Sequence, residues 1–439
     1  MGQTIANFDA MLKEHYMDKV PELVNQKIAV HEHFSKRSGA EFSADGRQVT
    51  YPMHVGRNSG VGAIGERGQL PTAGAQQYVS VSIPFRFNYG RIEITSQAMK
   101  QSMTSKGAFR KAIDEEITRA GKDVGREKNR QLWGFGQGTL AFVNHAAGGG
   151  IITASATATV EVDAPGGVAG ADNGTRFIRK GDILAFITGG AIESYGTVVS
   201  ITSSSAMVVN LAQNVSDNAK IVRLSSITAP ALIDCAYNNE PMGLLGMIDD
   251  GSFVATYMGV SRTAYPILKS NVVAASALDV SSYLTLGGIQ AMYDLADQTG
   301  NGTIKTMWCH HSVRREYLSQ LQTFRRYNDA NAKSPDGGFK GSALEADITF
   351  SEKPMKVDRD CPYGMLFGID DSSMFRYVLA EGEWADDDGK ILLRVAGQDA
   401  YEARFRVFDN YMCDRPNTCF AIKGIALRAG NTLETVPGL

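Results

Sequence analysis

Cys309-His310-His311 sets a thiol beside two imidazoles. Those are the residue types of a nucleophile with its general base, or of a pair of metal ligands. The residues leading into it, IKTMWC at 304–309, read as a buried strand. Neighbouring residues on a strand point to opposite faces, so Cys309 and His310 do not easily meet. A structural role is the expectation, and a cysteine hydrolase using Cys309 is the enzymatic alternative. His31 and His33 face one way if their segment is extended, but no third ligand stands at a suitable spacing. They read as residues of a solvated arm. The acidic run Asp386-Asp387-Asp388-Gly389, preceded by Glu381 and Glu383, lacks the alternation and closing glutamate of a calcium loop. It reads as a hairpin turn between strands, as do Asp370-Asp371 and Asp249-Asp250-Gly251. Residues 60–65, GVGAIG, fit a dinucleotide fingerprint by letters, but Gly68 and Pro71 follow instead of a helix. No GxSxG, HExxH or phosphate-loop motif occurs. The expectation is therefore a protein that is not an enzyme, with no catalytic residue, metal or cofactor.

Composition points the same way. The chain has 439 residues, 43% hydrophobic and 21% charged, which suits a globular protein of two or three domains. A net charge of −3 argues against a dedicated nucleic-acid binder, whose domain is usually basic. No apolar stretch approaches the ~18 residues of a membrane span. The N-terminal residues lack the apolar core of a signal peptide, so the expectation is a protein made in the cytosol with no membrane partner. Five cysteines, at 235, 309, 361, 413 and 419, form no CxxC pair and read as reduced, buried thiols.

The strongest pattern is a long β-hairpin over 48–88. Val49, Tyr51, Met53 and Val55 alternate along its first arm, and Val79, Val81, Ile83, Phe85 and Phe87 along its second. Six glycines between Gly56 and Gly74 make a tip with nothing of its own to bury. Each arm would extend roughly 25–40 Å at about 3.3 Å per residue. An isolated two-stranded ribbon is marginal in water, so this one is expected to lie on another copy of the chain.

Before the hairpin, residues 4–34 carry a sparse helical pattern broken by Pro21 and read as an arm. After it, residues 105–133 read as one long helix, with Phe109, Ile113, Ile117, Ala120 and Val124 on one face. Its polar side holds Asp123, Arg126, Glu127, Lys128 and Arg130, and Gly121 and Gly125 permit close approach of a neighbouring backbone. Over 140–226 charge falls and Thr, Ser, Val, Ala and Gly dominate. Strands at 151–162, 183–187, 195–202, 206–211 and 220–224 suggest a small barrel or sandwich inserted into a host chain. Beyond it come helices at 286–298 and from Ser312 to about Phe324. Strands follow at 347–351, 353–358, 364–369, 374–379, 391–395, 403–408 and 419–426. There is no regular βαβ rhythm, so the expected class is α+β.

This order of arm, glycine-tipped hairpin, charged helix, β insert and mixed remainder resembles the major capsid proteins of tailed bacteriophages, with their Hong Kong 97-like fold. VSIPFRFNYGRIEITSQAMKQS is similar to that family's approach to its spine helix. MWCHHSVRREYLSQL and KPMKVDRDCPYGMLFGID resemble elements of its axial domain. The resemblance implies an N-terminal arm at 1–40, an extended-loop hairpin at 41–92 and a peripheral domain with the spine helix at 93–139. It continues with an inserted all-β module at 140–226, peripheral domain again at 227–285, axial domain at 286–410 and a C-terminal strand and tail at 411–439.

The function so implied is self-assembly, through pentamers and hexamers, into an icosahedral head shell around double-stranded DNA. The shell would be built in the host bacterial cytoplasm and carried in the virion. Implied partners are other copies of the chain, a separate scaffolding protein, a portal, a decoration protein, and genomic DNA through non-specific contacts. Arg57, Glu66, Arg67, Tyr78, Phe85 and Phe87 on the hairpin, Arg119 and Arg126 on the helix, and Arg325 and Arg326 are the expected assembly interface. An encapsulin-like compartment would share the fold while enclosing enzymes, although this chain is long for one.

Overall fold

The computed structural model describes residues 29–38, 48–97, 106–145, 150–164, 174–328, 348–386 and 391–428, with side chains described for all but 29, 106–118 and 322–328. Most of the expected arm therefore lies outside the described residues. Its end does not: Ala29–His33 forms one 3-10 turn and Ser35–Ser38 a strand, β1. Then come β2 (Gln48–Gly56), β3 (Gln77–Pro84) and β4 (Arg86–Thr95), followed by helix α1 (Lys106–Trp133).

Helix α1 lies where the three-and-four spacing placed it. Ala120 and Val124 pack against Ile92, Phe405 and Val407 of the sheet below, and Gly121 and Gly125 are buried. Its polar side is not all solvated, however. Residues 128–133 are buried all round, including Lys128, Asn129 and Arg130. Charges can be placed there only because each meets a partner, as described below. Gly138, just beyond the helix, has φ +69, and a Cβ there would sit 2.3 Å from the Ala236 carbonyl oxygen. Only glycine fits that approach.

A closed barrel follows. Its strands are β5 (Thr139–Val143), β7 (Ala158–Asp163), β8 (Ile183–Thr188), β9 (Ala191–Ile201), β10 (Ala206–Leu211) and β12 (Lys220–Arg223), paired around the ring in the order β10-β7-β5-β12-β8-β9. The short β6 (Ile151–Ile152) and β11 (Val215–Ser216) pair beside it. The single strand expected at 151–162 is thus two, interrupted at 153–157, and 139–143 supplies a further strand unseen in the sequence. That stretch directly follows the helix and its glycines, and its buried face carries too few residues to show a period. Leu140, Val160, Leu184, Phe186, Val198, Met207, Val209 and Ile221 fill the barrel.

The remainder is mixed. The short β13 (Thr256–Tyr257) and β14 (Val260–Ser261) form a hairpin. Six strands make one sheet in the order β15-β23-β19-β16-β18-β17. They are β15 (Asn271–Ala274), β16 (Thr306–Cys309), β17 (Ile348–Phe350), β18 (Lys353–Val357), β19 (Leu366–Ile369) and β23 (Phe420–Lys423). Helices α2 (Leu286–Gly300) and α3 (His311–Asn328) cover one face through Ile289, Met292, Ala296, Val313 and Tyr317. Thr285 caps α2, its hydroxyl accepting from the Gly288 amide at 3.0 Å, and Asn301 ends it in the left-handed region. A second sheet of five strands joins β1, β20 (Met374–Trp384) and β22 (Ala400–Cys413), with β21 (Leu393–Arg394) and β4 also on β22. The class is mixed α+β and strand-rich. Among the described residues no helix is long and apolar enough to cross a membrane.

Two turn assignments need correction. Asp370-Asp371 is not a hairpin turn. Asp370 caps a 3-10 turn, accepting from the Ser372 amide at 3.1 Å, and the chain there passes from the six-stranded to the five-stranded sheet. Asp249-Asp250-Gly251 opens a loop organised around a buried carboxylate. Of the acidic run at 386–389, only Asp386 is among the described residues.

Candidate assembly surface

The expected hairpin forms, with Val49 opposite Ile83, Tyr51 opposite Val81 and Met53 opposite Val79. The period of two puts all six on one face. The lower rungs are buried by the chain itself: Val49, Val81 and Ile83 join the main core with Tyr257 and Tyr411. The Ser82 amide donates to the Met258 carbonyl at 3.0 Å, and Tyr51 donates its hydroxyl hydrogen to Asp414 at 2.7 Å. The expectation that this face waits for another copy is therefore corrected for the root of the ribbon. The second arm also ends sooner than the alternation suggested. At Phe85 the strand leaves β2, and β4 pairs with β22 instead. Phe85, expected at an interface, is only 4% exposed and belongs to the chain's own core.

The tip behaves differently. Residues 57–76 form neither strand nor helix, and every side chain from 61 to 70 is exposed. It does have something to bury: Val61 is 85% exposed and Leu70 82%. Covering each would contribute about 1.5–3 kcal/mol. Arg57, Glu66 and Arg67 are exposed beside them, Arg67 with a left-handed φ of +65. Tyr78 is exposed and tilts against His54 at 5.3 Å between ring centroids.

A second exposed apolar patch lies on the five-stranded sheet. Phe87 and Tyr89 on β4 set their rings against Phe408 of β22, 4.8 and 5.5 Å between centroids. The surrounding charges are paired within the chain: Arg91 meets Glu93 at 2.8 Å and Glu402 at 2.9 Å, and Arg406 meets Glu383 at 2.8 Å. Tyr89 and Phe408 were missed in the sequence. The signal for Tyr89 was its place two residues after Phe87 on an alternating strand, whereas Phe408 is identified only by cross-strand register. Arg119 and Arg126 are exposed on α1, and Arg126 donates to Asp123 at 3.5 Å. The side chains of Arg325 and Arg326 lie outside the described residues.

Buried ion pairs fix these surfaces to the frame. Lys128 of α1 and Arg376 of β20 both bind Asp409 of β22, Arg376 at 3.0 Å. Burial alone would raise the Asp409 carboxyl, but Lys128 and Arg376 beside it hold it below the usual carboxylate range. Tyr411 donates to the same carboxylate at 3.2 Å, and His31 lies 2.6 Å from the Tyr411 hydroxyl. Arg130 pairs with Glu127 at 2.6 Å and also with Glu240, while Arg223 of the barrel meets Glu127 at 2.7 Å. Arg262, fully buried, spends all five donors. Its Nε reaches Leu268, Nη1 reaches Asp249 and Val254, and Nη2 reaches Gly246 and Met247, at 2.9–3.1 Å. A lone arginine in a polar loop gave no hint of this role.

The residues that suggested chemistry are held in ways that oppose it. Cys309 faces α2 and α3 in the interior, and burial pushes its thiol up to about 12. A thiol so raised is not a nucleophile near neutral pH. His310 donates to or accepts from the Ser312 hydroxyl at 2.9 Å, and burial, then Arg176, pulls its imidazole down to about 3. His31 and His33 are not solvated, contrary to expectation. His31 is taken by Tyr411 and His33 by Asp371 at 3.0 Å, two separate partners rather than a shared site.

No protein-family profile matches the chain, and no curated protein matches it in sequence. Solved structures do. The chain is similar to the cyanophage A-1(L) capsid asymmetric unit, with a TM-score of 0.54 and 12% identity, over 91% of this chain and 93% of that one. The capsid of a native GTA particle aligns over 91% of each chain, with a TM-score of 0.44 and 9% identity. The cyanophage Pam1 capsid asymmetric unit aligns over 90% of this chain and 89% of that one, with a TM-score of 0.42 and 9% identity. The fold is a phage capsid-protein fold.

Proposed function

We propose that this chain is a major capsid protein whose copies close into the icosahedral head shell of a tailed bacteriophage around double-stranded DNA. Its work is structural and not catalytic. The observation that carries the reading is the exposed apolar tip at 57–76 on a ribbon whose root is locked into the chain's own core, within a fold matched over nine-tenths of its length by a capsid subunit. A heterologous contact, tip of one copy on a different surface of the next, generates rings when the rotation closes. Permanent contacts of this kind bury roughly 2,000–5,000 Å².

In this reading the hairpin is the extended loop, α1 the spine helix, and residues 286–410, with α2, α3 and four strands of the six-stranded sheet, the axial domain of the Hong Kong 97-like fold. The barrel is an insert. Pentamers and hexamers are the intermediate rings, and a separate scaffolding protein, a portal and a decoration protein are the further partners. Contacts to DNA are diffuse and salt-sensitive, made by scattered basic side chains, as the net charge of −3 suits a container better than a binder. Assembly takes place in the host cytoplasm.

The test is deletion of residues 57–74. The shortened chain is expected to stay soluble and folded, since the root rungs keep their core contacts, while closed shells disappear from negative-stain images. Shells of normal size from the deleted chain would sink the assignment of the tip. Shells from the intact chain that enclose protein and no nucleic acid would point to an encapsulin-like compartment instead.

A further inference from the structure

All five cysteines are free and buried, and two of them converge. Cys413 ends β22 and Cys419 immediately precedes β23, with a 3-10 turn at Pro416–Thr418 bringing the chain back between them. The Cys413 thiol donates to the Ser373 hydroxyl oxygen at 3.5 Å, and the Cys419 sulfur lies 3.9 Å from that same oxygen. One side-chain oxygen thus touches both sulfurs. Cys235 and Cys309 instead turn their sulfurs to the backbone carbonyls of Leu232 and Lys356, at 3.1 and 3.8 Å.

We infer that Cys413 and Cys419 form a latent dithiol that closes into an intrachain disulfide when the protein meets a peroxide. The two thiols are unequal, which divides the roles. Contact with Cys413 is the leading cause holding the Cys419 thiol below its ordinary range, while burial pushes Cys413 up. The lower thiol is the one that reacts first. The Cys419 thiolate attacks a peroxide oxygen; the S–O bond forms, the O–O bond breaks, and the departing hydroxide takes up a proton to leave as water. Cys413 then attacks the Cys419 sulfur. The S–S bond forms, the S–O bond breaks, and a second water carries away the Cys413 proton. Two thiols lose two electrons in all, and one peroxide is reduced to two waters. The bridge fastens the end of the five-stranded sheet to the lead-in of the six-stranded one. This chemistry is independent of the capsid reading.

Peptide mapping of the full chain tests it. The protein is treated with hydrogen peroxide, denatured in iodoacetamide and digested with trypsin. Peptide 407–423 holds both cysteines, because Pro416 protects the bond after Arg415. The expected peptide is unalkylated and lighter by two hydrogens, returns to a doubly alkylated form if a thiol reductant precedes alkylation, and coexists with alkylated Cys235, Cys309 and Cys361. Double alkylation after peroxide, or a sulfinic acid at Cys419 without the bridge, overturns the inference. In Cys413→Ala, Cys419 lacks its resolving thiol and is expected to form an adduct with a 1,3-dione probe for sulfenic acid. Absence of the adduct in a folded variant removes the assigned order of attack. If that variant fails to fold, the wild-type map still decides on the disulfide.

Discussion

Lys128 on the long helix and Asp409 on β22 form an ion pair with side chains 2% and 0% exposed, and Arg376 shares the same carboxylate. One anion thus neutralises two buried cations. Asp409→Asn leaves Lys128 uncompensated and Arg376 with only Glu381, 3.5 Å away, and is expected to cost about 3–5 kcal/mol. Lys128→Met removes one buried charge while Asp409 keeps Arg376 and Tyr411, so its cost should be clearly smaller. Urea unfolding of the unassembled subunit measures both. Equal losses would show that Arg376 does not share the load.

His31 gives a pH dependence of known sign. Burial, then Arg376 and Lys128, holds its imidazole at about 3 in the folded chain, against 6.5 when free. Above 6.5 the group is neutral in both states and contributes nothing. Between 6.5 and 3 the unfolded chain binds the extra proton, so stability falls as pH falls through this window. At pH 4.5 the loss from this one group is about 2–3 kcal/mol. His31→Gln keeps a polar group near Tyr411 but cannot titrate there. Its melting temperature should decline less between pH 6.5 and 4.5 than that of the parent. Parallel declines would mean that the group carries no such linkage.

Phe85 and Phe87 stand two apart and invite the same reading from sequence, yet the structure assigns them opposite fates. Phe85→Ala should destabilise the subunit by about 3–5 kcal/mol through an unfilled core. Phe87→Ser together with Tyr89→Ser should change subunit stability only slightly, about 0.5 kcal/mol per site, because both rings are largely exposed. The proposed function predicts that the second variant is impaired in assembly, read as the fraction sedimenting as particles. A folded double variant that assembles at the parental level would show that the aromatic patch is idle.

These pairs show where sequence reasoning reached and where it stopped. The long helix was legible because Phe109, Ile113, Ile117, Ala120 and Val124 recur at spacings of three and four. The hairpin root was legible because Val49, Tyr51 and Met53 keep a period of two. Strands at 183–188 and 206–211 carried dense β-branched and apolar runs. What stayed hidden depends on partners distant in sequence. Lys128 looks solvated until Asp409, 281 residues on, is brought to it. Arg262 is one arginine among many until four carbonyls and Asp249 surround it. The break at Phe85 follows from which sheet offers a free edge, a property of tertiary structure that local alternation does not carry. The exposed tip residues Val61 and Leu70 were outweighed in the reading by the glycines around them.

The barrel offers a test of organisation. Its first and last strands pair antiparallel, with Thr139 opposite Val222 and Ala141 opposite Ile221. Entry and exit therefore lie side by side, and two or three small residues can join 140 to 223. The cut retains Arg223 and its contact with Glu127, and it leaves the clusters centred on Tyr257, on Met307 and on Phe405 untouched apart from the loss of Phe142 at the edge of the first. The prediction is that deletion of 141–222 yields a chain that still unfolds in one cooperative transition by calorimetry, with a midpoint lowered by a few degrees. A broad, non-cooperative melt would show instead that the barrel and the sheets fold as a single unit, and that the segment 140–226 is not an independent insert.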